Sequence, residues 1–521
     1  MNKILLIIIF FFIFQFLTFN SQLASALELY KISYDTTYTV KEDGLTHVLF
    51  QIVLTNTTSQ NYPTSYKVKV EFSSIDNISA FDPDGIIKPH ITKTQDGQTI
   101  ELIFNKKVVG KDKKLPFSLS FTTSDVAKKH GRKWEVNIPP ISHQNNFEDY
   151  NVRIKVPSSF GTPAYIKPNN YLEDLYFTKE LLGKSGISIS FGDKQYYSYK
   201  LTYHLQNKFL FPTYSEIAIP PTTNYQRVII DDIAPKPINV REDLDGNWLA
   251  QYLLTPGKKI DVVVQGRAEV SFSPSPSKLN QELKALYLVE KPYWEIDWKM
   301  KDKAIKLKTP KNIYNYVVNN LTYDFSRVSD NLKRLGAKEV FYNGTSAVCL
   351  EFTDLFVALS RAAGIPAREI DGFAYTQNQK QRPLSKIKDI LHAWPEYYDE
   401  ERQMWIMVDP TWGNTTSGID YFHTLDFDHL AFVIKGANSQ YPIPAGGYKI
   451  KGLENIKDVQ VSFASKFLTN EKSAITIQLK EKESSIGIFL IMGGIFGAIF
   501  TIIILFITPS FWHLPFFRRK R

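Results

Sequence analysis

Between residues 45 and 205 apolar and polar positions alternate in short runs: LTHVLFQIVLTN (45–56), SYKVKVEFS (65–73), QTIELIFN (98–105), LPFSLSFTT (115–123), YNVRIKVPSS (150–159) and YYSYKLTYHL (196–205). A period of two marks strands with one face buried, and turn clusters such as DPDG (82–85) and SFGDK (190–194) separate them. Strands at this spacing predict stacked antiparallel sandwiches of immunoglobulin-like type. An echo, EVNIPPIS (135–142) and EIAIPPTT (216–223), divides them into two modules, 27–140 and 141–275. Asp243-Leu-Asp245-Gly246-Asn247 opens like a calcium loop, but the twelfth position is Leu254 where a bidentate Glu is needed, so a β-turn is expected.

The period changes after SPSPSKLN (273–280). In PKNIYNYVVNNL (310–321), Ile313, Tyr316, Val317 and Leu321 recur at helical spacing. A second helix carries Phe352, Leu355, Phe356, Leu359 and Ala363 on one face and stops at Gly364, with Pro366 beyond it. Thr345 or Ser346 would cap its start. Cys349, the single cysteine of the chain, then falls in the first turn, where free N–H groups and the helix dipole favour the thiolate. The plainer alternative is a small buried hydrophobe.

A nucleophilic thiol needs a base, and the base an orienting partner. LHAWPEYYDEERQMWIMVDPTW (391–412) reads as a hairpin turning at Asp399–Arg402. Centred between Glu400 and Glu401, it sets Glu396 opposite Trp405, Trp394 opposite Met407 and His392 opposite Asp409. Directly opposed side chains share a face, so Asp409 could accept the imidazole N–H of His392. Trp394 and Trp412 would either wall a cleft or pack in the core. His423 and His429 lack a comparable partner and are expected on the surface or in loops. No cofactor and no metal site is expected.

The ends change the setting. Lys3, an apolar run and Ala24-Ser25-Ala26 have the form of a secretory signal peptide over 1–26. Residues 486–508 are uncharged and, as a helix, would span about 34 Å, enough to cross a bilayer. The basic end Arg518–Arg521 places the tail, 509–521, in the cytoplasm and the body outside. Gly493 and Gly497 form a GxxxG through which such helices could pair weakly. Of the net charge of +9, five units sit on Lys3 and the last four residues, leaving four on the exported part. Nucleic-acid binding has no support from so balanced a surface.

AVCLEFTDLFVALSRAAGIPAREIDGFAY (347–375), LHAWPEYY (391–398) and WIMVDPTW (405–412), in that order and preceded by YNYVVNNLTYD (314–324), resemble the core of the transglutaminase-like superfamily. The resemblance implies a papain-like α+β domain over 281–436 and a Cys–His–Asp triad at Cys349, His392 and Asp409. It also implies acyl transfer or hydrolysis at amide bonds. Ala347 and Pro395 depart from the family's usual Gly and Val, and Pro395, lacking an N–H, suits a strand edge or a non-bonded position. The expected protein is therefore multidomain: two all-β modules, the catalytic domain, a β or linker stalk (437–485) and one membrane helix. Its substrate would be a peptide or protein at the cell surface or wall. The alternative is a surface binding or adhesive scaffold without catalysis. The polar loop 376–390 is placed to act as a lid.

Overall fold

In the computed structural model, the described residues are 29–467 apart from 95–96, 141–146, 184, 330–331, 377–378, 385–390, 417, 424, 449–456 and 465–466. The signal-peptide and membrane-helix expectations lie outside them. Among the described residues no helix is long and apolar enough to cross a membrane.

Alternation does build the first module. In the strand Thr46–Asn56 every second residue is buried and those between are half-buried or exposed, which makes one face of the sheet a core face. This strand is central in a seven-stranded sheet with Tyr30–Val40 and Lys114–Thr123 as its neighbours. Tyr30–Val40 pairs on its other side with Phe147–Lys155, in parallel. A four-stranded sheet joins Lys133–Ile138 to Ile187–Phe191. One apolar core runs from Tyr34 to Phe191. The boundary expected at 140 therefore falls inside this module. A parallel partner more than a hundred residues away leaves no trace in a local turn pattern.

The second module is organised by a long pair of strands, Lys194–Gln206 against Lys259–Ser271, in unbroken antiparallel register. Val459–Phe463, from the expected stalk, returns to pair with the outer side of Lys194–Gln206. The helix-containing segment 281–436 is thus inserted between strands of this module. Asp243–Asn247 is the expected turn: Gly246 N–H donates to the Asp243 carbonyl, and the Asp245 carboxylate accepts from Gly436 and Ala437 N–H.

The inserted segment sets helices against a four-stranded antiparallel sheet, ordered Met404–Met407, Leu391–Asp399, Ala367–Ala374, His429–Lys435. The helix Cys349–Ala362 packs on it through the expected Phe352, Leu355, Phe356 and Leu359. It is not one-sided, however: Glu351, Asp354 and Arg361 are buried as well. A charge in such a place must be paired. Asp354 accepts from Trp294 Nε1 at 2.8 Å and from Arg334, while Arg361 donates to the carbonyls of Val289, Ala367 and Gly436. The helix ends as expected at Gly364 (φ +81°), with Ile365 N–H returning to Ser360 O and Gly364 N–H to Arg361 O.

Both β modules dock on this domain through buried polar groups. Lys133 of the first module, with no exposed side-chain surface, pairs with Glu135 at 2.7 Å and with Asp428 of the inserted domain at 2.6 Å. Tyr197 of the second donates its hydroxyl to Phe427 O at 2.6 Å.

Candidate active site

Cys349 opens its helix. The cap differs from expectation: Val348 is the N-cap, and its N–H is taken by the Glu351 carboxylate at 3.0 Å. Glu351 is itself held by Leu335 N–H and Arg327. Thr345 and Ser346 make no cap because they lie in a turn and bend that precede the bridge at Ala347, and the helix starts only after the extended Val348.

The hairpin forms with its register two residues from the expected one: Glu396 faces Met407, Tyr398 faces Trp405 and Asp399 faces Met404. The four-residue turn ends on Gln403 in the left-handed region (φ +51°). A shift of two preserves faces, so His392 and Asp409 still meet, as diagonal rather than opposed residues. Pro395 lies in an inner strand, not at an edge. Its carbonyl accepts Val408 N–H at 3.0 Å, but it has no N–H to return. The ladder ends there, and the chain turns at Asp409 into the short helix Pro410–Thr415.

Asp409 does two jobs. Oδ1 caps that helix by accepting Trp412 N–H at 3.0 Å, and Oδ2 accepts His392 Nε2 at 3.0 Å. The other imidazole nitrogen, Nδ1, is buried and has no hydrogen-bond partner among the described residues, while Cys349 is among the groups that favour the charged ring. Cys349, His392 and Asp409 are all buried. Burial works against an imidazolium, yet Asp409 and then Cys349 push His392 up to about 9. Burial likewise opposes a carboxylate, yet His392 and His429 hold Asp409 down to about 2.

His429, expected on the surface or in a loop, is instead buried at the start of the strand His429–Lys435. It sits between two acids, Nδ1 2.7 Å from Asp426 and Nε2 3.4 Å from Asp409. Burial opposes its charge, but Asp426 and Asp409 push it up to about 9. The signal in the sequence was local, an acidic Asp426-Phe-Asp428 immediately before His429. His392, Asp409 and His429 bring three donor atoms within 4.8 Å of one another, the described set that a metal ion could bridge. The hydrogen bond from His392 already accounts for the shared carboxylate oxygen. His423, as expected, is largely exposed and pairs only with Asp420.

Trp412 and Trp394 stack on the His392 ring, with centroids 5.2 and 6.0 Å away. Both are buried, so they hold the base rather than line an open cleft. Gly372, opposite His392, makes this packing possible: a Cβ there would lie 2.1 Å from Leu430 O and 2.9 Å from the Trp394 ring. The described part of the loop 376–390 covers this layer. Pro383 O accepts Trp412 Nε1, Leu384 is buried, and Arg382 donates to Tyr421 Oη and to Asn137 of the first module. Outside this cover lies a cleft of about 290 Å³. It is lined by Ser73, Asp125 and Asn137 on one side and by Gln381, Arg382 and Thr416 on the other.

The matching family model is that of the transglutaminase-like superfamily, over residues 298–410. No curated protein matches the chain. Among solved structures, a candidate cysteine protease from Cytophaga hutchinsonii aligns at 18% identity, covering 52% of this chain and 99% of that one, with a TM-score of 0.32. The periplasmic domain of TgpA from Pseudomonas aeruginosa aligns at 13% identity over 42% and 88%, with a TM-score of 0.25. These scores lie below the level of a shared fold, so the family rests on the matched segment. Residues 298–410, which include Cys349, His392 and Asp409, are a transglutaminase-like superfamily domain.

Proposed function

We propose that the protein is a cysteine acyltransferase or amidase acting on peptide or protein amides, tethered to the membrane and facing outward. The observation that carries this reading is one buried imidazole, bonded to Asp409 through Nε2, with Nδ1 unpartnered, whose charged form is favoured by Cys349 at a helix start. The Cys349 thiolate attacks the amide carbonyl carbon; the C–S bond forms and the carbonyl π electrons move to oxygen. The Cys349 N–H donates to the resulting oxyanion. On collapse the C–N bond breaks and the imidazolium of His392 gives its proton to the leaving amine. Asp409 keeps the imidazolium oriented throughout. Water or a second amine then resolves the thioester, as hydrolysis or crosslinking.

The buried triad implies that substrate enters by displacing the cover at Gln381–Leu384, and the cleft outside it is the natural approach. On this reading the β modules are more than spacers, because Asn137 and Lys133 hold the cover and the Asp428 segment. The test uses the detergent-solubilised full chain beside Cys349→Ala, incubated with a glutamine-rich protein mixture and a tagged primary amine. Amine incorporation lost in the variant assigns a crosslinking transferase. Cysteine-dependent cleavage or deamidation without incorporation assigns a hydrolase. Neither, with Cys349 also inert to alkylation, would overturn the enzyme reading in favour of a binding scaffold.

A further inference from the structure

An oxyanion hole needs two donors aimed where charge develops. The first is at hand. Glu351 takes the Val348 N–H, and the Glu351 and Phe352 N–H groups both return to Val348 O. Among the described residues nothing accepts from the Cys349 N–H. Of the polar side chains just before the nucleophile in the chain, none of Tyr342, Asn343 and Ser346 is buried without a partner. Tyr342 is more than half exposed and donates to Asp297 at 2.6 Å. The exposed Asn343 accepts from Thr345 through its side chain, and the Ser346 carbonyl is held by Arg327.

A different tyrosine meets the requirement. Tyr323 forms a parallel β-bridge with Ala347, two residues before the nucleophile, fixed by Asp324 N–H to Ala347 O at 2.8 Å. Its ring lies 6.4 Å from that of Phe352, one helical turn from Cys349. Tyr323 is 7% exposed, and its hydroxyl is buried without a hydrogen-bond partner. A hydroxyl stranded in this way costs about 1–3 kcal/mol, a cost that a donor waiting for substrate explains. The charges nearest it point the same way: burial, and next Cys349, raise its ionisation well above that of an ordinary tyrosine, so it stays a proton donor at any working pH.

We propose that the Tyr323 hydroxyl is the second oxyanion donor, acting with the Cys349 N–H on the tetrahedral intermediate. This rests on the cysteine-enzyme reading above. The hydroxyl keeps its proton throughout; it donates a hydrogen bond as the carbonyl oxygen becomes negative and relaxes when the thioester forms.

The experiment compares the detergent-solubilised full chain with Tyr323→Phe and Cys349→Ala. Acylation by p-nitrophenyl acetate passes through an oxyanion; alkylation by iodoacetamide at the same thiol does not. Tyr323→Phe is expected to lower the acylation rate constant about 10²–10³-fold. Its alkylation rate should be unchanged, and its thermal midpoint unchanged or raised because an unpaired polar group has gone. Acylation at the wild-type rate would overturn the proposal. So would equal losses in acylation and alkylation, which would place Tyr323 in control of the thiol instead, or a lowered midpoint with both rates reduced. Failure of the wild-type chain to acquire an acetyl group at Cys349 would overturn the cysteine-enzyme reading as well.

Discussion

The strand Thr46–Asn56 of the first module and the strand Ala367–Ala374 of the catalytic domain are both central, yet they solve burial differently. The first alternates, and its buried residues from Val48 to Leu54 are all apolar. The second is buried at all eight positions, although it contains Arg368, Glu369 and Asp371. Its charges are matched from neighbouring elements: Arg368 with its cross-strand partner Glu396, Glu369 with Arg334, and Asp371 with Lys435. One layer is held by pattern, the other by pairing. The pairing serves the site, because a rigid, buried, ion-paired sheet holds His392 where it meets Asp409 just beyond the strand end.

The largest effect should come from Asp409→Asn. The amide cannot hold His392 as an imidazolium, and kcat/KM should fall about 10³–10⁴-fold. The same variant tests the pH dependence. Wild-type kcat/KM should decline as pH rises through about 9, where His392 loses the proton it gives to the leaving amine. In the variant that decline should move to lower pH; a limb that stays put would show another group controls it. Stability carries the same sign. The contribution of His392 is complete below the ordinary histidine value of about 6.5 and is lost as pH rises through about 9. That of Asp409 is complete above about 3.9 and is lost as pH falls through about 2.

Next in size, Glu396→Leu leaves Arg368 buried and uncompensated, and should cost about 3–5 kcal/mol in a urea unfolding titration. Adding Arg368→Met should restore much of that loss. If the single variant is as stable as wild type, pairing does not hold this sheet. In the apolar layer, Leu119→Ala removes a fully buried side chain and should cost about 2–5 kcal/mol, with no partner substitution able to restore it. At the small end, Lys31 and Glu148 pair at 3.0 Å on the exposed surface of the first module. Lys31→Ala should change stability by less than about 1 kcal/mol.

The same contrast governs what the sequence disclosed. Alternating strands announce themselves, so the β character of residues 30–271 was legible while the partner of each strand was not. The pairing of Tyr30–Val40 with Phe147–Lys155 is non-local and erased the expected boundary at 140. Cys349, His392 and Asp409 were legible as candidates because each sits in a short motif tied to a helix start, a strand or a strand end. The hairpin register was misjudged by an even number, which cannot move a side chain to the other face. His429 and Tyr323 were missed for another reason. Their significance lies in what surrounds them in space: two acids from separate turns in one case, and the absence of any partner in the other.

The return of Val459–Phe463 to the second module has a mechanical consequence. A pull on the chain beyond residue 467 meets this strand before it meets the catalytic fold. Five register pairs to Tyr197–Leu201, extended by Thr202 N–H to Asp458 O and Ala464 N–H to Tyr196 O, must be peeled away first. Arg267, ion-paired to Asp231, also grips the Phe467 carbonyl. Tension from that side is therefore carried by a β-ladder that contains none of Cys349, His392 and Asp409. The bond between His392 and Asp409 is shielded from the load.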